Sequence, residues 1–357
     1  MESFLHYRAE DIQEILDRVD STLKKLSGKT VIVTGAGGFL GGYFIALFQY
    51  FNSLTNLSPI YVIALDNYVT SSPPGKNDPR RKDENIEWIY GDAYLGSKLP
   101  NRVDFVFHLA GIASPEHYQA NPLMTIDAAV NSTRALLEKS LKDKSRMLYF
   151  SSSEIYGDPH PEFVPTPESY RGNVACRGPR ACYDESKRLG ETLCWVYENY
   201  FDVFVSVVRP FNVFGPGMMP KDYRVVPNFV SSILSGQPLH VYGNGNQTRT
   251  FCYINDAIVA FLKILIEGTT PDIYNVGNPK SEISMLELAT LVSELSHADV
   301  KTEVIDYPSK YPKDDPFRRC PDITKLTKDF AFQCEVELEE GINRFLIWAR
   351  EAYPKIK

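Results

Sequence analysis

A tyrosine and a lysine at helical spacing, Tyr183 and Lys187, are the residues whose types and positions could most directly do chemistry. On a helix, positions i and i+4 lie on one face about one turn apart. A lysine ammonium at that distance favours the phenolate, so the phenol can serve as a base near neutral pH. A buried aromatic residue beside a solvated lysine would show the same spacing. The functional interpretation therefore depends on three partners elsewhere: a glycine turn at Gly35, a serine run that ends at Glu154, and arginines in the second half.

A glycine-rich turn follows the first predicted strand, residues 30–34. Gly35, Gly38 and Gly41 follow that strand at the spacing G-x-x-G-x-x-G, before an apolar helical stretch that extends to Phe51. Such a turn lets the pyrophosphate of a dinucleotide approach a helix N-terminus, where free N–H groups and the helix dipole favour anions. The position after a strand and before a helix strengthens this interpretation.

An acidic residue, Asp66, ends the second predicted strand, residues 60–65. A carboxylate at this place accepts hydrogen bonds from ribose hydroxyls and repels a 2′-phosphate, so Asp66 favours NAD over NADP. The alternative is an ordinary strand-end aspartate in a turn with Asn67. The preceding glycine turn favours the cofactor role.

Strands alternate with helices through the first 210 residues. Further strands are predicted at 88–90, 103–109, 147–150 and 201–209, with a helix at 122–142 and another that carries Tyr183. This order predicts an α/β fold with a Rossmann-type doubly wound parallel sheet, whose ligands bind beyond the carboxyl ends of the strands. Residues 151–154 follow the fifth strand and so belong to that edge. His108 lies in an apolar strand, which favours a core histidine over a catalytic one.

The chain also has an N-terminal extension and a second half richer in proline and glycine. Residues 1–28 contain an amphipathic helix at 8–26, which we interpret as a packing element, with a partner-binding helix as the alternative. We assign 29–210 to an NAD-binding Rossmann domain. We assign 211–357 mainly to a smaller, interleaved substrate-binding domain, from which about 250–275 return to the first. Later helices are predicted at 255–267, 284–297 and 337–352, and a surface loop at 70–85.

Composition limits the classes of partner. The 357 residues carry a formal net charge of −7 with a pI of about 5.5, which argues against nonspecific nucleic-acid binding. The six cysteines show neither a CxxC pair nor metal-ligand spacing, so we expect reduced thiols and no metal site. The sequence shows no apolar run of bilayer length and no signal-peptide core. We therefore expect a cytoplasmic protein without a membrane partner.

Several motifs together resemble the extended short-chain dehydrogenase/reductase family, whose members act on nucleotide sugars. The matching stretches are Thr34–Gly41, His108–Ala110, Ser151–Gly157, Tyr183 with Lys187, and Arg209–Pro216. Within the family, three stretches resemble the branch that decarboxylates UDP-glucuronate: Gly178–Glu185, Val241–Arg249 and Asp314–Ile323. The resemblance extends from about residue 29 to residue 350, and residues 1–28 match nothing in it.

The resemblance implies a set of site residues and a dimer. The implied catalytic residues are Tyr183, Lys187, Ser152, Ser153 and Glu154. Those implied for the cofactor NAD are Gly35, Gly38, Phe39, Leu40, Gly41, Asp66, Asn67, Asp92, Ala110, Tyr183 and Lys187. Those implied for a nucleotide-sugar substrate are Asn212, Val226, Tyr242, Arg249 and Arg319. A homodimer is implied through the helices near 122–142 and 184–200.

The implied reaction is decarboxylation of UDP-glucuronate through a 4-keto intermediate. NAD takes a hydride from C4 while Tyr183 removes the proton of the C4 hydroxyl. Ser152 or Ser153 forms a hydrogen bond with the C4 oxygen. Lys187 is implied to lower the pKa of Tyr183 and to hold the nicotinamide ribose. The β-keto acid then loses CO₂, C5 is protonated and the hydride returns to C4. Glu154 is implied to lie near C5, where it positions the sugar or relays the proton.

Other activities remain open at this stage. Family 4,6-dehydratases have an Asp-Glu pair where this chain has Ser153 and Glu154, which argues against dehydration. Simple 4-epimerases generally lack that glutamate, so Glu154 also argues against epimerisation. A 4-epimerase, or another NAD-dependent nucleotide-sugar enzyme with a different sugar, is nevertheless the main alternative enzyme. A dinucleotide-sensing or scaffold protein is the non-enzymatic alternative. Two departures concern the sugar: the family's decarboxylases usually carry an arginine at Gly217 and tend to have a serine at Gly111.

Overall fold

The computed structural model describes residues 6–75, 78–99, 101–220, 222–307 and 316–355. The helices are α1 (Ala9–Lys24), α2 (Phe39–Leu54), α3 (Pro115–Ala120), α4 (Pro122–Ala129), α5 (Asn131–Asp143), α6 (Ala181–Phe201), α7 (Val225–Leu234), α8 (Ile254–Glu267), α9 (Met285–Ser296), α10 (Thr324–Phe330) and α11 (Leu338–Ala352). The strands are β1 (Thr30–Thr34), β2 (Tyr61–Asp66), β3 (Ile86–Tyr90), β4 (Phe105–His108), β5 (Arg146–Phe150), β6 (Val205–Pro210), β7 (Val213–Phe214), β8 (Leu239–Tyr242), β9 (Thr248–Arg249), β10 (Cys252–Tyr253), β11 (Ile273–Val276), β12 (Ile283–Ser284), β13 (Thr302–Ile305) and β14 (Arg318–Arg319). None of these described helices is both long and apolar enough to cross a membrane.

Seven strands form one sheet in the order β3-β2-β1-β4-β5-β6-β11. Every neighbouring pair in it runs parallel. Its inner strands β1, β5 and β6 are buried along almost their whole length, as expected where helices cover both faces of a parallel sheet. The predicted parallel sheet is therefore confirmed. The strand at its end, β11, comes from the second half of the chain and pairs with β6.

Apolar side chains fill the space on both faces of this sheet. On one face, the ring centre of Phe44 from α2 lies 4.7 Å from that of Phe107, and Phe261 from α8 lies 4.8 Å from Phe150. On the other face, Leu136 of α5 belongs to a second buried cluster. Full burial of each such side chain contributes on the order of 1.5–3 kcal/mol. This packing fixes the strand ends from which the polar residues of the site project.

The N-terminal helix α1 packs against α2 and α8 through its apolar face. Asp11 of α1 is fully buried and accepts hydrogen bonds from Tyr253 at 2.8 Å and Tyr43 at 3.4 Å. Arg344 of α11 donates to the same carboxylate at 3.4 Å. The helix predicted at 8–26 is confirmed, and its apolar face is buried against the core.

The single helix predicted at 122–142 is wrong. The structure has two helices there, α4 and α5, which meet at Val130. The hydroxyl of Thr133 donates to the carbonyl of Ala129 at 2.7 Å and lies 3.0 Å from Nε2 of His108. The break thus lies where the start of α5 is tied to β4.

Other boundaries in the second half of the chain also differ from the prediction. The strand predicted from residue 201 begins at Val205, because α6 continues through Phe201 and Asp202 then takes a left-handed conformation with φ of 54°. The helices α7 and α10 were not predicted, because frequent proline and glycine indicated irregular structure. Pro227 lies in the first turn of α7, where a backbone N–H is not needed for the helix.

The surface loop predicted at 70–85 is wrong in one respect. A short 3-10 helix, Pro79–Arg81, interrupts it, and Arg80 is only 2% exposed. Lys76 and Asn77 of this stretch lie outside the described residues, as do Asp314 and Asp315 of the third decarboxylase-like stretch.

Candidate active site

The glycine turn between β1 and α2 forms a bare cradle at a helix N-terminus. Gly35 has φ of +68°, which residues with a side chain rarely adopt, and a Cβ there would lie 3.0 Å from the backbone nitrogen of Ala110. A Cβ on Gly41 would overlap the carbonyl oxygen of Gly35. The cradle leaves the N–H groups of the first turn of α2 open to an anion.

Asp66 stands beside this cradle at the end of β2. Its carboxylate accepts hydrogen bonds from the backbone N–H groups of Gly37 at 2.8 Å and Tyr68 at 2.6 Å. Burial raises the pKa of Asp66 in spite of these bonds. Asn67 donates to Asp92 at 2.7 Å on the same edge. The cradle and the strand-end carboxylate together fit the diphosphate and a ribose of NAD.

A cavity of about 1930 Å³ extends along this edge of the sheet. It is lined by nine residues that the sequence predicted for the cofactor, namely Gly35, Gly38, Phe39, Leu40, Gly41, Asp66, Asn67, Asp92 and Ala110. The volume exceeds the roughly 300–1,000 Å³ of most small-ligand sites, so the cavity suits an extended ligand. Gly111 and Arg224 also line it, and they lie beside Lys187 and Tyr183 respectively.

Tyr183 and Lys187 lie one turn apart near the start of α6, and both are buried. The Nζ atom of Lys187 lies 6.0 Å from the centre of the Tyr183 ring and donates to the carbonyl of Phe150 at 2.6 Å. Burial lowers the pKa of Lys187 to about 8. Gly111 leaves room for this ammonium, because a Cβ at that position would lie 3.1 Å from Nζ.

The pKa of Tyr183 differs from the sequence expectation. Burial raises the pKa, a hydrogen bond with Ser152 lowers it, and the nearby charges that lower it belong to Arg224 and Arg180. Burial outweighs these contributions, so the pKa of Tyr183 is raised and not lowered as the sequence suggested. Of the two candidate serines, Ser152 contacts Tyr183, whereas Ser153 is buried in the 3-10 turn that follows.

Glu154 is held between two arginines from distant parts of the chain. Arg319 of β14 donates to it from both Nη atoms, with Nη2 2.9 Å from Oε2, and Arg180 donates to the same carboxylate. Arg180 also donates to Asp184 through Nε at 3.3 Å. The side chains of Arg180 and Arg319 are 9% and 4% exposed, so these charges interact in a partly desolvated setting. We refer to Arg180, Glu154 and Arg319 as the arginine clamp.

Two further residues predicted for the substrate, Arg249 and Tyr242, lie in the second half of the chain. Arg249 is beside β14, and Tyr242 is at the end of β8. Arg249 of β9 is in register with Arg319 and donates to the carbonyl of Thr248 at 2.8 Å. Tyr242 ends β8, and its ring stacks on that of Tyr307 with the centres 6.0 Å apart. The geometry leaves a role in binding a nucleotide sugar as a prediction for both.

The remaining two residues predicted for the substrate, Asn212 and Val226, both have protein contacts in the structure. The side-chain amide of Asn212 donates to the carbonyl of Thr250 at 2.9 Å. Val226 is 2% exposed and packs in the hydrophobic core, because α7 turns that face inward. A role of Val226 in binding the substrate stays a prediction.

Two arginines near Tyr183 had no assigned role in the sequence analysis. Arg180 precedes Tyr183 by three residues, and that helical spacing could have indicated it. Arg224 precedes α7, and its Nη2 atom donates to Asp222 at 2.7 Å. No local pattern marks Arg224, because it is remote from Tyr183 in the sequence.

His108 is a core histidine, as predicted. It is fully buried, with Nδ1 2.8 Å from the hydroxyl of Thr34 and Nε2 3.0 Å from that of Thr133. Burial and the charge of Lys187 lower its pKa to about 3, so the ring is neutral at physiological pH. Within the described ranges, no group of three or more His, Cys, Asp or Glu residues could hold a metal ion.

Comparison with known proteins defines the class to which this fold and site belong. The sequence model of the NAD dependent epimerase/dehydratase family matches residues 31–277. The chain therefore belongs to this family of NAD-dependent enzymes.

Individual relatives agree with that assignment. UDP-glucuronic acid decarboxylase 5 of Arabidopsis thaliana is 36% identical over 324 residues, which cover 88% of this chain and 88% of that protein. UDP-glucuronic acid decarboxylase 1 of Xenopus tropicalis is 34% identical over 336 residues, which cover 92% of this chain and 74% of that protein. The structure of an epimerase from Methanothermobacter thermautotrophicus matches with a TM-score of 0.81 and 26% identity, covering 97% of this chain and 98% of its own. The predicted family, Rossmann-type fold, enzyme class and NAD cofactor are confirmed.

Proposed function

We propose that this enzyme decarboxylates UDP-glucuronate. The observation that carries the proposal is the gathering of three guanidinium groups, those of Arg180, Arg319 and Arg224, around Glu154 and Tyr183. Guanidinium groups bind carboxylates and phosphates with paired hydrogen bonds, and UDP-glucuronate presents both groups. Similarity to decarboxylases over 88% of the chain supports the same substrate.

The chain's own residues handle the proton at C4. Bound NAD supplies the removal of a hydride from C4 of the sugar and its later return. Tyr183 accepts the proton of the C4 hydroxyl, and the hydroxyl of Ser152, which already contacts Tyr183, bonds the same oxygen. Lys187, with a pKa of about 8, keeps a mainly positive charge beside them at neutral pH.

The cofactor residues fall into two groups in this proposal. The glycine turn with Phe39 and Leu40 would hold the diphosphate, and Asp66 with Asn67 and Asp92 would hold the adenosine ribose. Lys187 would hold the nicotinamide ribose, with Ala110 forming the wall between the two ends.

A ketone at C4 makes the sugar a β-keto acid. The carboxylate leaves as CO₂ because the electrons of the C5–C6 bond delocalise into the ketone, and C5 then takes up a proton. Glu154 lies two residues after Ser152, so it is placed to position the sugar or to relay this proton. The arginine clamp is the candidate site for the sugar carboxylate, with Arg249 and Asn212 for the diphosphate and Tyr242 for the nucleobase.

Incubation with UDP-glucuronate and NAD⁺, followed by mass spectrometry and proton NMR of the nucleotide sugar, tests the proposal. We expect loss of CO₂ and a UDP-pentose product. An unchanged mass with a new configuration at C4 would instead identify a 4-epimerase. No reaction with NAD still bound would contradict the choice of sugar and leave the family assignment intact.

We also propose a homodimer that associates through α4 and α6, which pack against each other. Each exposes large apolar side chains: Leu123 is 74% exposed on α4, and Leu189 and Tyr200 are 47% and 71% exposed on α6. Large exposed apolar side chains on two helices that pack together favour an interface at this surface. We expect the double substitution Leu123→Glu with Leu189→Glu to halve the mass measured by light scattering. Val304→Glu, at a 54% exposed position on β13, is the control, and an unchanged mass in the double variant would refute this interface.

A further inference from the structure

Arg80, a buried cation in the 3-10 helix Pro79–Arg81, lies against the first turns of α2, and the family assignment provides no role for it. Its Nε and Nη2 atoms form paired hydrogen bonds with Asp78 at 3.0 and 2.7 Å, and its guanidinium carbon lies 5.7 Å from the centre of the Trp88 ring. The residue is 2% exposed. These contacts fix the plane of the guanidinium group and leave Nη1 pointing away from Asp78.

The Nη1 atom of Arg80 has no hydrogen-bond partner among the residues that the structure describes, although it is buried. A buried donor without a partner is costly, so such a group indicates a missing acceptor. Nη1 lies 3.5 Å from the place that a Cβ on Gly42 would occupy, against the first turns of α2. Arg80 and Asp78 line the same cavity as the glycine turn. The residue that carries the unpartnered donor and the glycine turn before α2 thus line one cavity.

The N-terminal segment closes this space on its outer side. The carbonyl of His6 lies where a Cβ on Gly217 would be, and Gly217 has φ of +99°. The same Cβ would lie 3.3 Å from the Phe39 ring at the start of α2. A longer side chain at position 217 therefore cannot share this place with the N-terminal segment. Burial and the charge of Arg80 lower the pKa of His6 to about 4, so His6 adds no positive charge at neutral pH.

We propose that Arg80 and the N-terminus of α2 form one anion site, covered by His6, which holds the diphosphate of NAD. The cation at this site then comes from the short 3-10 helix Pro79–Arg81. A charge-assisted hydrogen bond from a buried guanidinium group adds to the helix dipole, and both act on the same phosphates. The inference depends on the NAD dependence of the family and is independent of the sugar.

Isothermal titration calorimetry on full-length protein freed of nucleotide tests this site with NAD⁺, ADP-ribose and adenosine. We expect Arg80→Met to weaken NAD⁺ and ADP-ribose roughly ten- to hundredfold, the range of a charge-assisted hydrogen bond. Adenosine, which lacks phosphate, should bind as before. Arg81→Met removes the exposed neighbouring arginine of the same 3-10 helix and should leave all three affinities unchanged.

Three results would overturn the proposal. The first is an Arg80→Met variant that binds NAD⁺ as tightly as Arg81→Met does. The second is an equal loss for adenosine, which would show that Arg80 supports only the packing around the adenosine. The third is weaker binding of NAD⁺ with ADP-ribose unchanged, which would place Arg80 away from the diphosphate that both ligands carry. Thermal unfolding of both variants checks that they are folded.

Discussion

Replacing Tyr183 by phenylalanine is expected to lower kcat by roughly 10²–10⁴-fold while NAD stays bound. The substitution removes only the phenolic oxygen, which we propose as the acceptor of the C4 hydroxyl proton. The ring should keep its place, because it stacks on Tyr118 with the centres 5.4 Å apart. Turnover of UDP-glucuronate and the amount of NAD extracted from the denatured variant are the two measurements.

Tyr197→Phe is the matched control, because it removes a phenol from the same helix at a distance from the site. The pH dependence adds a second test. Burial raises the pKa of Tyr183, so the phenol is mostly protonated at neutral pH. The base form therefore increases as the pH rises above neutral, and kcat of the unaltered enzyme should rise with it. Wild-type turnover in Tyr183→Phe would be incompatible with the proposed mechanism.

Replacing Glu154 by glutamine should reduce turnover about 100-fold or more, with little change in NAD binding. Glutamine has the same shape but carries no charge and relays no carboxyl proton, so the clamp loses the anion that joins Arg180 to Arg319. A loss in kcat with unchanged KM would indicate a proton relay, because the sugar would still bind in place. A rise in KM would instead indicate that Glu154 positions the sugar.

The neighbouring ion pair of β14 offers the control for this experiment. Glu282 forms an ion pair with Arg318 at 2.7 Å. Arg318 precedes Arg319 in the sequence, but its side chain is 44% exposed. Glu282→Gln removes the same kind of charge outside the site and should leave kcat unchanged. If Glu154→Gln and Glu282→Gln behave alike, Glu154 has no part in the reaction.

The sequence predicted those parts of the site that are local in the chain. The turn from Gly35 to Gly41 was recognisable because a strand, a bare loop and a helix start follow one another directly. Tyr183 and Lys187 were recognisable because helical spacing alone places them on one face. The parallel sheet followed from alternating strands and helices, whereas no local pattern marked the break between α4 and α5 at Val130.

The arginine clamp could not be predicted in the same way. Arg180, Glu154 and Arg319 come from three separate segments, and only the folded chain brings their charges together. The burial of Arg80 was not predicted either, because the charged residues around it indicated a surface loop at 70–85. No local pattern shows that α7 turns the side chain of Val226 into the core.

The buried carboxylate of Asp11 bears on how the molecule unfolds. Its hydrogen-bond partners come from α2, from β10 and from α11, so one side chain of the first helix joins segments from the whole length of the chain. Local opening of α1 would leave two buried tyrosine hydroxyls and an arginine without their acceptor. The first helix therefore belongs to the same cooperative unit as the sheet, and its amide protons should exchange as slowly as those of α2.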